Sequence, residues 1–196
     1  MHAKIKIQID YTSLLIPIIL VSEGNFSDAA ALLLAATIHE CGHLLAARLL
    51  KIPVLSLHIS VLGAQLRLCD PFLSYKREWL LCAAGPLTSG LLAFFMSMIG
   101  LFFPIFFSKL AQISLVLGIV NLLPIGWLDG GRMLRATCYQ ILSPTYARAI
   151  VRAISFLCFL TLWMTSVYLI LRTGRSLSLF VFSFSLFVRF FLSKAE

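Results

Sequence analysis

The chain has 196 residues, of which 60% are hydrophobic and only 12% are charged. Soluble globular domains are about 45–50% apolar and about 25% charged, so these figures exclude an ordinary soluble domain. Together with a mean hydropathy of +0.98, they indicate a membrane protein. The formal net charge of +8 would suggest nucleic acid as a partner only in a soluble protein. We therefore expect no nucleic-acid partner and interpret the basic residues by their positions.

Six apolar segments predict about six transmembrane helices, since each span needs about 20 apolar residues. They cover residues 11–22, 29–50, 79–103, 110–125, 149–171 and 177–192. With this division, thirteen of the sixteen Lys and Arg residues lie on one side of the membrane. The other side holds Lys109, Arg172 and Arg175. By the positive-inside rule, both termini are expected in the cytoplasm.

Two stretches after the second apolar segment alternate with a period of two, which is typical of strands. The alternation covers residues 55–61 and 64–68, with a turn at 62–63, and predicts a β-hairpin over 54–70. An interfacial loop is the alternative. The alternating segment 4–10 could supply a third strand on the same side. The predicted fold class is an all-α polytopic membrane protein with a small β-sheet on its cytoplasmic side.

Residues 39–43 read HECGH, an HExxH motif inside the second apolar segment. On an α-helix His39 and His43 share a face and can bind one Zn²⁺, while Glu40 is placed to deprotonate metal-bound water. The alternative is a structural polar cluster, but such groups are costly at bilayer depth without partners. The motif therefore predicts one catalytic zinc ion per chain. Cys41 lies about 200° around the helix from His39, so we expect it to pack in the core.

A catalytic zinc ion usually has a third protein ligand besides two histidines. Of the eight acidic residues, only Glu40 and Asp129 lie away from predicted segment ends and loops. Asp129 follows a stretch with Pro and Gly that interrupts an apolar segment, and such irregular backbone survives in a membrane only against protein or a wet cavity. We therefore expect Asp129 to be the third ligand. A helix N-cap at the membrane edge is the alternative.

The two motifs together resemble the site-2 protease family of intramembrane zinc metalloproteases. HExGH at 39–43 and the stretch from Asn121 through LDGG at 128–131 match its two signature motifs. The sequence pattern NLLP…LDGGR is similar to that of the branch typified by the stage IV sporulation protease FB. The chain departs from the family pattern at Ser89, where Asn is frequent, and at Trp127, where a second Pro is frequent.

The resemblance implies a role for each matching residue. His39, His43 and Asp129 would bind zinc, and Glu40 would act as the general base. The residues implied at the substrate are Asn121, Pro124 and Gly130. A structural hydrogen bond within the bundle is the alternative role for Asn121. The predicted hairpin is expected to hold an extended substrate segment by β-augmentation.

The resemblance also implies an activity and a setting. The chain would be a zinc metalloendopeptidase that cleaves a membrane-bound regulatory protein, such as a pro-sigma or anti-sigma factor, in a bacterial inner membrane. An inhibitory membrane partner is also expected. We expect a single domain over 1–196, with a catalytic core of about 29–135 and no PDZ or CBS domain. The alternatives are an HExxH peptidase that acts on free peptides at the membrane surface, and a non-proteolytic membrane protein that binds or transports metal.

Overall fold

The structure is a computed structural model, in which residues 6–9, 15–22, 26–60, 63–68, 73–173 and 177–192 are described. Within these ranges the strands are β1 (Lys6–Ile9), β2 (Val54–Ser60) and β3 (Gly63–Leu68). The helices are α1 (Leu15–Ser22), α2 (Phe26–Leu49), α3 (Tyr75–Gly100), α4 (Pro104–Asn121), α5 (Asp129–Ile141), α6 (Pro144–Thr173) and α7 (Leu177–Leu192). The predicted fold class, helical with a small sheet, is confirmed.

Four of the described helices are long and apolar enough to cross a membrane, namely α2, α3, α4 and α6. The outermost predicted spans are shorter. α1 has 8 residues, and residues 11–14 of the first predicted segment lie outside the described ranges. α7 has 16 residues, roughly 24 Å of helix against a hydrocarbon core of about 30 Å. The described part of the chain thus has four helices of full spanning length, where the sequence predicted about six spans.

The three strands form one sheet in the order β1-β2-β3. β2 pairs antiparallel with β3, as the predicted hairpin requires, and parallel with β1. Ser60 pairs with Gly63, which the sequence placed in the turn, and residues 61–62 lie outside the described ranges. The hairpin and the third strand are therefore confirmed, and the interfacial-loop alternative is excluded. Among the described strands, β2 is central, and β1 and β3 are the two edges.

The chain reverses sharply at the end of α2 and enters the sheet. Lys51 adopts the left-handed conformation, with φ of 54°. The N–H of Ile52 donates to the carbonyl of Ala47 at 2.8 Å, and the N–H of Lys51 donates to that of Arg48 at 3.1 Å. This pair of bonds is a Schellman motif, which satisfies carbonyls that the helix end leaves open. Ile52 is buried with Ala47 and Leu81, so an apolar contact between α2 and α3 stabilises the reversal.

Small residues allow α2, α3 and α4 to approach closely. Ala31 and Ala35 of α2 are fully buried in a cluster with Leu110 of α4. A Cβ on Gly42 would lie only 2.6 Å from Cγ2 of Thr88 on α3. Between membrane helices such van der Waals packing contributes much of the association free energy, because lipid tails are as apolar as the side chains. The packing presses one face of α2 against α3.

α5 is a helix of 13 residues that packs beside the first turns of α3 and α6. Glu78 on α3 accepts a hydrogen bond from Nη2 of Arg135 at 2.8 Å and lies 3.7 Å from Nε of Arg132. The rings of Tyr75 and Tyr139 stack with their centroids 5.7 Å apart. These contacts attach α5 to the beginning of α3.

The connection between α4 and α5 requires two glycines. A Cβ on Gly130 would overlap the carbonyl oxygen of Leu122, and a Cβ on Gly131 would overlap that of Ile125. The first turn of α5 therefore lies directly against the backbone of loop 122–128, and only a residue without a side chain fits there.

We expect Gly131→Ala to lower the Tm of the detergent-solubilised protein, because the added Cβ would push the carbonyl of Ile125 aside. Overpacking of this kind costs about 1–3 kcal/mol. Gly90→Ala on α3 is the matched control, since a methyl group there would have no neighbouring atom within 4 Å and Ala favours a helix by up to about 1 kcal/mol. Equal Tm values for the two variants would contradict the tight connection.

Candidate metal centre

Two histidines of α2 lie on one face of the helix, as their four-residue spacing predicts. The rings of His39 and His43 meet edge to face with centroids 5.0 Å apart. Their Nε2 atoms are 3.3 Å apart. The two residues are only 3% and 6% exposed. Two imidazole nitrogens therefore converge on one point inside the protein.

Asp129, the first residue of α5, reaches the same point from a distant part of the chain. Its Oδ2 atom lies 3.1 Å from Nε2 of His39 and 3.1 Å from Nε2 of His43. Asp129 is 7% exposed. Leu128 occupies the N-cap position of α5, so Asp129 does not cap the helix as the alternative assumed. The carboxylate instead faces the two imidazoles.

The three side-chain atoms fit a zinc ion. In a tetrahedral site with bonds of about 2.0–2.2 Å, two ligand atoms lie roughly 3.3 Å apart. The observed separations are 3.1 and 3.3 Å. Two imidazole nitrogens and one carboxylate oxygen are also a known ligand set of catalytic zinc, which keeps a fourth position for water or substrate. Among the described residues, His39, His43 and Asp129 are the group of ionisable side chains that could hold a metal ion.

Helix α3 holds the second ring nitrogen of each histidine. Nδ1 of His43 donates to the carbonyl of Leu81 at 2.8 Å, and Nδ1 of His39 lies 2.8 Å from Oγ of Ser89. A proton on Nδ1 of His43 leaves the lone pair of Nε2 available to a metal. Ser89 is fully buried and can accept the corresponding hydrogen bond from His39. Contacts with α3 thus orient both imidazoles toward the metal position.

Gly85 of α3 leaves open the space that a metal ion would need. A Cβ at this position would overlap Nε2 of His43 and lie 2.6 Å from Nε2 of His39. Any other residue would therefore place a carbon atom where the ring nitrogens converge. The same closeness shows that the backbone of α3 forms one wall of the site.

Glu40, the predicted general base, is partly buried, and its Oε2 atom is excluded from solvent. It precedes His43 by three residues on α2, so both project from the same side of the helix. Its role as the general base stays a prediction.

The three residues predicted at the substrate make contacts within the protein. Asn121 ends α4, and its side-chain amide donates to the carbonyl of Leu117 at 3.0 Å. The carbonyl of Pro124 accepts a hydrogen bond from Oγ of Ser155 at 3.0 Å. Gly130 packs against the backbone of loop 122–128. Their role at the substrate stays a prediction.

Three contributors to the site carry no metal-binding motif: Leu81, Gly85 and Ser89. In the sequence Ser89 stands out only as a departure from the family pattern. The spacing of four residues between Gly85 and Ser89 places them on one face of α3, which is the signal that could have drawn attention to them. No sequence signal marks the carbonyl of Leu81. Cys41 is outside the metal-binding group, as expected, but it is exposed, so its predicted core position is wrong.

Two comparisons with known proteins found a similarity. Residues 103–164 match a family model described as Peptidase family M50, a range that includes Asn121 and Asp129 but not the histidine pair. The fold is similar to the solved structure of the Site-2 Protease from Methanocaldococcus jannaschii, with a TM-score of 0.74. That similarity covers 93% of this chain and 87% of the archaeal one at 19% sequence identity.

The chain resembles peptidase family M50 over 62 of its 196 residues. The match with the M50 model supports a metallopeptidase, in agreement with the ligand set of the site. At 19% identity the archaeal structure shows a fold shared with this chain. No curated protein matches the sequence.

We expect Ser89→Ala to weaken Zn²⁺ binding by about 10- to 100-fold, because His39 loses the partner that orients its ring. The Kd is measured by competition with a chromophoric chelator. Ser114→Ala is the matched control, since Ser114 is equally buried and its hydroxyl donates to the carbonyl of Leu110 within α4. An unchanged Kd in Ser89→Ala would show that the hydroxyl does not support His39.

Proposed function

We propose that this chain is an intramembrane zinc metalloendopeptidase that cleaves a membrane-bound protein in or near a transmembrane segment. The observation that carries the proposal is the buried group of His39, His43 and Asp129. Two of these residues lie on α2, a helix that can span a bilayer. Ionisable side chains in such a helix are costly and mark functional sites. One Zn²⁺ per chain would bind there.

The proposed chemistry divides between the metal and the chain. When bound, Zn²⁺ would polarise the substrate carbonyl and lower the pKa of the attacking water. His39, His43 and Asp129 would hold the ion through Nε2, Nε2 and Oδ2, while α3 keeps the imidazoles oriented. The carboxylate of Glu40 would accept the proton of the attacking water and pass it to the leaving amine.

The sheet suggests how a substrate could be presented. Peptide carbonyls inside a helix are already hydrogen-bonded, so the cleaved segment must become extended, and a sheet edge can hold it by β-augmentation. β2 is paired on both sides and cannot accept another strand. Within the predicted hairpin the available edge is that of β3, and we propose that the substrate pairs there. The proposal therefore does not involve pairing through Leu55, Leu57 and Ile59, which lie on β2.

The proposed setting is a bacterial inner membrane with both termini in the cytoplasm. Four apolar helices support an integral membrane protein, and the excess of cations on one side supports the orientation. The resemblance to the branch of the stage IV sporulation protease FB supports a regulator such as a pro-sigma or anti-sigma factor as the substrate. The same resemblance supports an inhibitory membrane partner and a role in sporulation.

Glu40→Gln should lower the rate of cleavage by about 10²- to 10⁴-fold, because an amide cannot accept the proton, while the chain keeps its Zn²⁺. Cleavage is followed as fragments of host membrane proteins after co-expression, and zinc by elemental analysis. Cys41→Ser, a change at the neighbouring exposed residue, should leave both unchanged. Fragments that persist in Glu40→Gln would show that Glu40 is not the general base. Metal flux without cleavage in the wild type would indicate a transporter.

Asp129→Ala should lose most of the bound Zn²⁺ together with cleavage, since only two ligands remain. Asp28→Ala is the matched control. The carboxylate of Asp28 pairs with Lys109 at 2.6 Å near the start of α2, and a partly exposed pair contributes only about 0–1 kcal/mol. Full zinc retention in Asp129→Ala would require another third ligand, as in an HExxH peptidase that acts on free peptides at the membrane surface.

A further inference from the structure

A serine of α6 connects two points of the loop that precedes Asp129. The hydroxyl of Ser155 donates to the carbonyl of Pro124 at 3.0 Å and accepts from the N–H of Gly126 at 3.1 Å. Ser155 is 3% exposed. Its hydroxyl therefore uses its donor and one of its acceptor sites on the backbone of loop 122–128.

The loop leads directly into the metal centre. Gly126 precedes Asp129 by three residues, and the N–H of Leu128 donates to the carbonyl of Ile125 at 2.8 Å. The segment between Gly126 and Asp129 is therefore a hydrogen-bonded turn that continues into α5. A shift of this turn moves the carboxylate of Asp129, whereas the imidazoles are held independently by α2 and α3.

Apolar packing holds the same loop less specifically. Ile125 and Leu128 are buried in a cluster with Phe159, one turn beyond Ser155 on α6, and Leu186 of α7. Apolar burial is non-directional, so it keeps the loop close to α6 without fixing each atom. The hydrogen bonds of Ser155 are directional and act at two points. Metal ligands require placement within about 0.5 Å, a tolerance that directional contacts can supply.

We propose that Ser155 is a positioning residue that holds the carboxylate of Asp129 in place for metal binding. It acts through the backbone of loop 122–128 and touches neither metal nor substrate. The proposal rests on the metal site of the proposed function, and it adds a helix, α6, to the elements on which that site depends.

The test compares Ser155→Ala with Ser166→Ala in the full-length protein in detergent. Both changes remove one buried hydroxyl from α6, and Ala is well tolerated in a helix. Ser166 is the matched control because its hydroxyl lies 3.0 Å from that of Ser183 on α7, three turns further along α6. The first readout is the Kd for Zn²⁺ by chelator competition. The second is amide hydrogen exchange over residues 122–128 in protein stripped of metal.

Ser155→Ala should raise the Kd for Zn²⁺ about 10-fold, at the lower end of the effects of groups that support metal ligands. Without metal, residues 122–128 should exchange about 10-fold faster, because the loop opens locally more often. Ser166→Ala should change neither quantity. This combination separates an effect on the loop from a general weakening of α6, which a Tm measurement alone would not.

An unchanged Kd in Ser155→Ala would overturn the proposal, and so would unchanged exchange over residues 122–128. An equal rise of the Kd and of the exchange rate in Ser166→Ala would also overturn it, since the effect would then belong to α6 as a whole. A wild-type chain that binds no Zn²⁺ is a different result, because it refutes the proposed metal site itself. In that case the exchange measurement still decides whether Ser155 holds the loop.

Discussion

Three polar side chains meet between α2, α3 and α5, where each of them would be costly to bury alone. The carboxylate of Asp129 lies 3.1 Å from both imidazoles of α2. Because His39 and His43 belong to one helix, their mutual geometry is local, but the approach of Asp129 requires α5 to begin at one particular place. Three features place the start of α5 there: the close packing of α2 against α3, the glycines at the start of α5 and the attachment of α5 to α3.

One face of α3 supports both the histidine pair and α5, the helix that carries Asp129. Glu78, Leu81, Gly85 and Ser89 follow each other at intervals of three and four residues, so they lie along one face of the helix. Glu78 binds the arginines of α5, while the carbonyl of Leu81 and the hydroxyl of Ser89 orient the histidines. Gly85 between them keeps the metal position open. Ser89 has a short side chain, yet its hydroxyl reaches His39.

The loop between α4 and α5 shows how irregular backbone is accommodated within the bundle. Its polar groups must find partners in the protein, because lipid offers none. The hydroxyl of Ser155 accepts a hydrogen bond from the N–H of Gly126 and donates one to the carbonyl of Pro124. Gly131 allows the first turn of α5 to rest on the loop itself. Loop 122–128 contacts α6 on one side and α5 on the other, and these contacts position the carboxylate of Asp129.

Much of this protein was predictable from local patterns in its sequence. Apolar segments indicated a helical membrane protein, the spacing of His39 and His43 indicated a shared helix face, and a period of two indicated the hairpin, because each signal depends on residues close together in the chain. The scarcity of acidic residues also led to Asp129. Other features depend on which helices and strands become neighbours. They are the partners of the histidines on α3, the central position of β2, the exposure of Cys41 and the hydrogen bonds of Ser155 to the loop. Packing between distant segments decides those contacts, and no local period in the sequence encodes them.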